Sequence, residues 1–134
     1  MNALSAHAPK VLGLLRIVTG LMFMQHGTQK IFGFPAPARG PFELFSQMGI
    51  GGVLELVGGA LIVLGLFTRP VAFILSGMMA VAYFQFHFAT GGIYPLVNGG
   101  ELAALYCWVF LYLAFAGPGA FALDSAFRGR RAYR

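Results

Sequence analysis

The chain has 134 residues, of which 58% are hydrophobic and 10% charged, and a formal net charge of +5. A soluble domain carries about 25% charged residues, and no interleaving of basic and aromatic residues suggests a nucleic-acid surface. The composition therefore excludes an ordinary soluble enzyme domain and a nucleic-acid binder, and a mean hydropathy of +0.77 directs the reading to a lipid bilayer.

Four apolar stretches follow one another: Val11–Phe32, Ile50–Phe67, Pro70–Thr90 and Gly100–Ala116. Each is close to the roughly 20 residues that a spanning helix needs. Periods near 3.6, without polar/apolar alternation, favour helices over a β-barrel. Residues 1–134 then form a single domain, an all-α integral membrane four-helix antiparallel bundle.

The first span has Pro9 before it and Gly33 and Pro35 after it, the usual punctuation of a helix. Its apolar stretch is too long for a cleaved signal peptide, contains Arg16 and lacks a small-x-small cleavage site. In the loop that follows, Pro41–Met48 mixes apolar and polar residues and is expected to lie along the interface as a short helix. Thr68-Arg69-Pro70 reads as an N-cap and first turn for span three, Asn98-Gly-Gly-Glu101 as a capping box opening span four, and Gly117-Pro118-Gly119 as its end.

Basic residues set the orientation. Lys10, Arg69, Arg128, Arg130, Arg131 and Arg134 fall on one side, against Arg39 and Lys30 on the other. The positive-inside rule places both termini in the cytoplasm of a multi-pass inner (plasma) membrane protein. Span four holds one cysteine, Cys107, read as a small buried apolar residue. With no C-x-x-C, the chain supplies neither an iron–sulfur cluster nor a dithiol centre.

Charges inside a span are costly and therefore informative. Arg16 falls near the inner surface, where it is expected to snorkel toward lipid phosphate. His26 and Lys30, Glu55, His87 and Glu101 all fall near the outer surface, one or two from each helix. At 3.6 residues per turn, Arg16, Gly20, Gly27 and Lys30 share a face with His26 at its edge, as do Glu55, Gly58 and Gly59. Small residues there allow close helix contact. Ser76, Ala80, Tyr83 and His87 align on span three, and Glu101, Ala104, Leu105, Trp108 and Tyr112 on span four. Glu55 lies about 8 Å inside its span by helical rise, so it needs a proton or a partner, and Lys30 or His26 is expected rather than Arg16. Plainer roles remain open for the others: Lys30 snorkelling, Glu101 capping, His87 at the interface.

These stretches, LLRIVTGLMFMQHGTQKIFGF (Leu14–Phe34), LELVGGALIVLGLFTRP (Leu54–Pro70) and NGGELAALY (Asn98–Tyr106), with the closing GPG and Asp124, resemble the DoxX family of small four-helix membrane proteins. The resemblance implies kinship with subunits of thiosulfate:quinone oxidoreductase and terminal quinol oxidase. It also implies that Arg16, His26, Gly27, Lys30, Glu55, Gly58, Gly59, Arg69 and Glu101 occupy recurrent positions.

Three functions fit. The first is a quinone- or quinol-binding subunit, with a candidate pocket of His26, Lys30, Glu55, Tyr83, His87 and Glu101 at the outer leaflet, served by a partner subunit that carries the redox centre. The second is a haem carrier with His26 and His87 as axial ligands, which ranks well behind quinone. The third is a non-catalytic scaffold or small-solute transport component of a redox-stress complex. No Glu-x-x-His pair suggests a di-iron site, and no metal is expected.

Overall fold

The computed structural model describes residues 2–131, with Asn2 and residues 128–131 as backbone alone. The side chains of the basic tail that orients the chain, Arg128, Arg130, Arg131 and Arg134, lie outside what is described. The described residues are helical with no strand. Four long helices dominate: α1 (Ala8–Phe32), α2 (Gln47–Leu64), α3 (Thr68–Ala82) and α4 (Glu101–Ala116), followed by α5 (Leu123–Arg131). The rod begun by α3 continues through six residues of π-helix, Tyr83–Phe88, and a last turn, Ala89–Gly91. Thr68–Gly91 is thus continuous over 24 residues.

By length and composition, α2 and the Thr68–Gly91 rod can cross a membrane, and α4 is a shorter apolar helix. The outward faces carry Leu14, Val18, Leu21, Val57, Phe73, Ile74, Val81 and Phe115, an apolar exterior.

Each helix end has a local cause. The α1 helix stops at Gly33 and α2 at Gly65, both in the left-handed region with φ of +66° and +65°, where glycine carries no Cβ penalty. Ser46 opens α2 by accepting from the Gly49 N–H at 3.0 Å. The segment before it, 33–46, is non-helical, so the expected interfacial helix at Pro41–Met48 is absent and its last two residues belong to α2.

Two other expected caps are replaced. Thr68 does not cap α3; the Asp124 carboxylate does, taking the Phe67 and Thr68 N–H groups on its two oxygens at 2.8 Å each. The box at Asn98–Glu101 is not formed. The Asn98 N–H already bonds Tyr94 O, and the Asn98 side-chain oxygen accepts from Gly100 N–H at 2.7 Å. Glu101 is left exposed in the first turn, where the helix dipole favours a carboxylate without a cap.

The helices pack as two hairpins, α1 with α2 and α3 with α4. Glycine makes the first hairpin tight. A Cβ at Gly20 would stand 3.0 Å from Gly59 O, and one at Gly27 would stand 2.6 Å from Leu56 N and 2.7 Å from Gly52 O. Such backbone approach is what small residues permit in membrane helices. Gly58 faces the Leu75 side chain across to α3. The hairpins join through large side chains: Phe23, Ile62, Leu75, Tyr106, Phe110 and Leu113 form the core.

The inward face of α4 is therefore Tyr106, Phe110 and Leu113, and not the expected Glu101, Leu105, Trp108 and Tyr112. Leu105 is 62% exposed and Trp108 69%. Both faces repeat with helical spacing, and in an apolar environment an outward tryptophan carries no penalty that would reveal its side.

Candidate functional site

The bundle has two polar ends, and they differ in how completely their charges are satisfied. At the end where α1 begins and α2 stops, Arg16 is fully buried. Its guanidinium has five N–H donors, and the structure supplies five carbonyls. Nε donates to Pro118 O at 2.8 Å; Nη1 to Ile62 O and Val63 O, both at 2.6 Å; Nη2 to Ala120 O at 3.2 Å and Phe121 O at 2.8 Å. Two of these carbonyls close α2, where the partial negative charge of the helix dipole lies. The others belong to the segment that folds back after α4.

Further bonds lock this end. Ala120 N–H bonds Pro9 O and Asp124 N–H bonds Gly65 O. Arg69 donates to Ala114 O and Phe115 O at the end of α4, at 3.0 and 2.5 Å. Arginines thus sit on the carbonyl ends of α2 and α4, and a carboxylate on the amide end of α3. The expected snorkelling of Arg16 toward lipid does not occur, because all five of its N–H groups are taken by carbonyls within the fold. Arg16 is structural.

At the opposite end the accounting is incomplete. Lys30 Nζ donates to Glu55 Oε1 at 2.6 Å. The Glu55 residue is only 4% exposed. Its second oxygen, Oε2, is buried and has no hydrogen-bond partner. The Tyr106 hydroxyl is in the same condition. The His26 ring meets the Tyr106 ring edge-on at 6.0 Å between centroids. Phe23 and Phe110 pack against Tyr106 at 5.1 and 5.8 Å, forming an aromatic floor. A buried carboxylate oxygen and a buried phenol, both unpartnered, are uncommon and call for an explanation.

The expected pocket therefore divides. Lys30, Glu55 and His26 come together, with Tyr106 added. Tyr83 and His87 form a separate cluster: their rings stack at 6.4 Å. Tyr83 donates to Ile93 O at 2.8 Å, His87 Nδ1 bonds Asn98 O at 3.1 Å, and the Asn98 amide donates to Tyr83 Oη and to Gly92 O. These residues fasten the α3–α4 loop, and no described hydrogen bond or ring contact ties them to Glu55. The π-turn beneath them shifts the register of Tyr83 and His87 relative to the helix that holds Ser76. Glu101 is exposed and outside the cluster. Tyr106 was hidden from the sequence reading because Glu101 drew attention to the wrong face of α4, although its spacing with Phe110 and Leu113 is the signal that marks it. Among the described residues no three of His, Cys, Asp and Glu converge as for a metal ion. Cys107 is half-buried, with its carbonyl accepting from Ser76 Oγ at 2.8 Å.

The comparisons with known proteins come down on one family. Residues 11–88, more than half the chain, match the DoxX family model. An uncharacterized protein of Haemophilus influenzae is 48% identical, over 95% of this chain and 98% of its own length. The Escherichia coli inner membrane protein YphA is 31% identical, over 89% of this chain and 91% of its own. The Bacillus subtilis protein named "Putative oxidoreductase CatD" is 28% identical, over 88% of each. No solved structure matches the chain. Match and coverage together show that this chain belongs to the DoxX family.

Proposed function

We propose that the chain is an integral membrane subunit of a quinone-linked oxidoreductase, crossing the bilayer four times with both termini in the cytoplasm and binding a quinone or quinol headgroup beside Glu55. The observation that carries this reading is the pair of buried, unpartnered polar atoms, Glu55 Oε2 and Tyr106 Oη, above a floor of Phe23 and Phe110. A headgroup of this class offers two oxygens on a flat apolar ring, which suits two hydrogen-bonding groups over aromatic rings. A name that includes oxidoreductase for a relative of similar length is in keeping with it.

In this reading the positive-inside orientation puts the Lys30–Glu55 end in the outer leaflet. Glu55 holds or accepts the headgroup proton, Lys30 is its ion-pair partner, and His26 is the proton outlet toward outer water. The chain itself stores no electrons, so they leave through a partner subunit. The test is binding of a quinone analogue to the purified full-length protein and to Glu55→Gln and His26→Ala. The reading expects saturable binding by the native protein and clear weakening in both variants. Absence of binding by the native protein refutes it; equal binding by all three removes these residues from the site.

A further inference from the structure

Each polar group at the site has a definite hydrogen-bonding sense. Glu55 Oε1 is committed to Lys30 Nζ at 2.6 Å. In its ion pair with the Lys30 ammonium Glu55 is a carboxylate, and a carboxylate only accepts. Its remaining oxygen, Oε2, therefore requires a donor, and it is buried without one. The Tyr106 hydroxyl, also buried and unpartnered, can donate.

We infer that the site discriminates between the two oxidation states of its ligand and favours the reduced one, a hydroquinone whose phenolic O–H donates to Glu55 Oε2 while one of its oxygens accepts from Tyr106. This rests on the proposed function and specifies which form of the ligand the site takes. A quinone carries carbonyl oxygens only. Its approach would set an oxygen lone pair against Oε2, leaving a buried anionic acceptor unpaired in a region of low dielectric. Tyr106 can donate to either form, so it contributes affinity without choosing between them. Selectivity resides in Glu55. Discrimination of this type, where a buried polar group is satisfied by one ligand and stranded by its analogue, is far larger than that available from shape alone.

The experiment uses the full-length protein in detergent without oxygen. Three probes share one ring and one short tail: the hydroquinone, the quinone, and the hydroquinone dimethyl ether, which keeps two oxygens but has no donor. The native protein is expected to bind the hydroquinone more tightly than either other probe by about tenfold or more, the scale of a hydrogen bond to a charged group. Glu55→Gln presents an amide that both donates and accepts, so the preference should collapse toward parity. Tyr106→Phe, which removes an already orphaned hydroxyl and should fold, should weaken hydroquinone and quinone by a similar factor and retain the preference. Equal binding of hydroquinone and quinone by the native protein overturns the inference while leaving a quinone-type site standing. A preference that survives in folded Glu55→Gln, or disappears in Tyr106→Phe, overturns the assignment to Glu55. Absence of binding by all three probes overturns the inference and the proposed function together.

Discussion

Replacing Arg16 by lysine separates two accounts of this residue. If Arg16 merely reached from a helix toward lipid phosphate, lysine would serve nearly as well, since both side chains snorkel. The structure predicts otherwise. The guanidinium is fully buried and donates to five carbonyls in three places: the end of α2, Pro118, and Ala120 with Phe121. An ammonium has three donors at one point and no fork, so at least two carbonyls lose their partner. Each stranded buried carbonyl costs about 1–3 kcal/mol. Because Ile62 O is fully buried and the others only partly so, the lower half of that range applies, giving about 2–4 kcal/mol for Arg16→Lys. Arg16→Ala adds a cavity and removes all five of these hydrogen bonds, leaving Ile62 O only the Gly65 N–H, for about 3–5 kcal/mol or failure to fold. The assay is unfolding in mixed micelles followed by helical signal, together with amide exchange at residues 119–122. Exchange should rise there first, because Arg16 holds that segment down. An Arg16→Lys protein within about 0.5 kcal/mol of native, with unchanged exchange at 119–122, would refute the carbonyl-clamp reasoning.

Asp124→Ala removes two hydrogen bonds from the first amides of α3 and should cost about 0.5–2 kcal/mol, as loss of an N-cap does, read by the same unfolding assay. Gly27→Ala should cost about 1–3 kcal/mol, because its Cβ would press on the Leu56 and Gly52 backbones, whereas Gly77→Ala, with open space around its Cβ, should stabilise by about 0.5–1 kcal/mol; equal effects at the two positions would contradict the tight first hairpin. Without ligand, Tyr106→Phe should be neutral or stabilising by up to about 1 kcal/mol, since it deletes a buried unsatisfied hydroxyl. Lys30→Met alone should destabilise by stranding Glu55, and adding Glu55→Leu should recover most of the loss; a double variant worse than Lys30→Met would mean the pair is retained for stability.

Local signals in the sequence were good guides wherever the partner of a residue was a nearby backbone or a small residue. Gly33 and Gly117 end helices because the chain must turn there, whereas the second helix stops at Gly65, two residues short of the expected Phe67; Gly20, Gly27 and Gly59 mark the contact face because only glycine permits that backbone approach. Depth narrowed the partner of Glu55 to Lys30 or His26 and excluded Arg16, and Lys30 is the one it pairs with. What escaped was non-local. Asp124 caps a helix that begins 56 residues earlier at Thr68, a relation no window on the sequence can contain. Arg16 finds carbonyls 102 and 46 residues away, at Pro118 and Ile62, so its apparent freedom to snorkel was an artefact of viewing one helix at a time. The inward face of α4 escaped for a different reason. Hydrophobicity separates core from water, but not core from lipid, so Trp108 and Tyr106 look alike until the neighbouring helices are in place.

The contrast between the two ends of the bundle argues for where function resides. Arg16 has every donor matched, and Asp124 and Arg69 sit on helix termini beside it, so the charges at that end are paired and only the neutral Thr68 hydroxyl is buried there without a partner. At Lys30–Glu55 the same chain leaves a carboxylate oxygen and a phenol unmatched within its interior. A partly satisfied polar cluster is less stable than an apolar core of the same shape, and α1, α2 and α4 are rich in residues that could have supplied one. Leaving Glu55 half-paired is therefore a standing cost, one that the proposed ligand would remove by supplying a donor. Binding and stability are linked by mass action, so the ligand that belongs there should raise the unfolding temperature of the native protein and lose that effect in the apolar Lys30→Met, Glu55→Leu protein, which needs no donor.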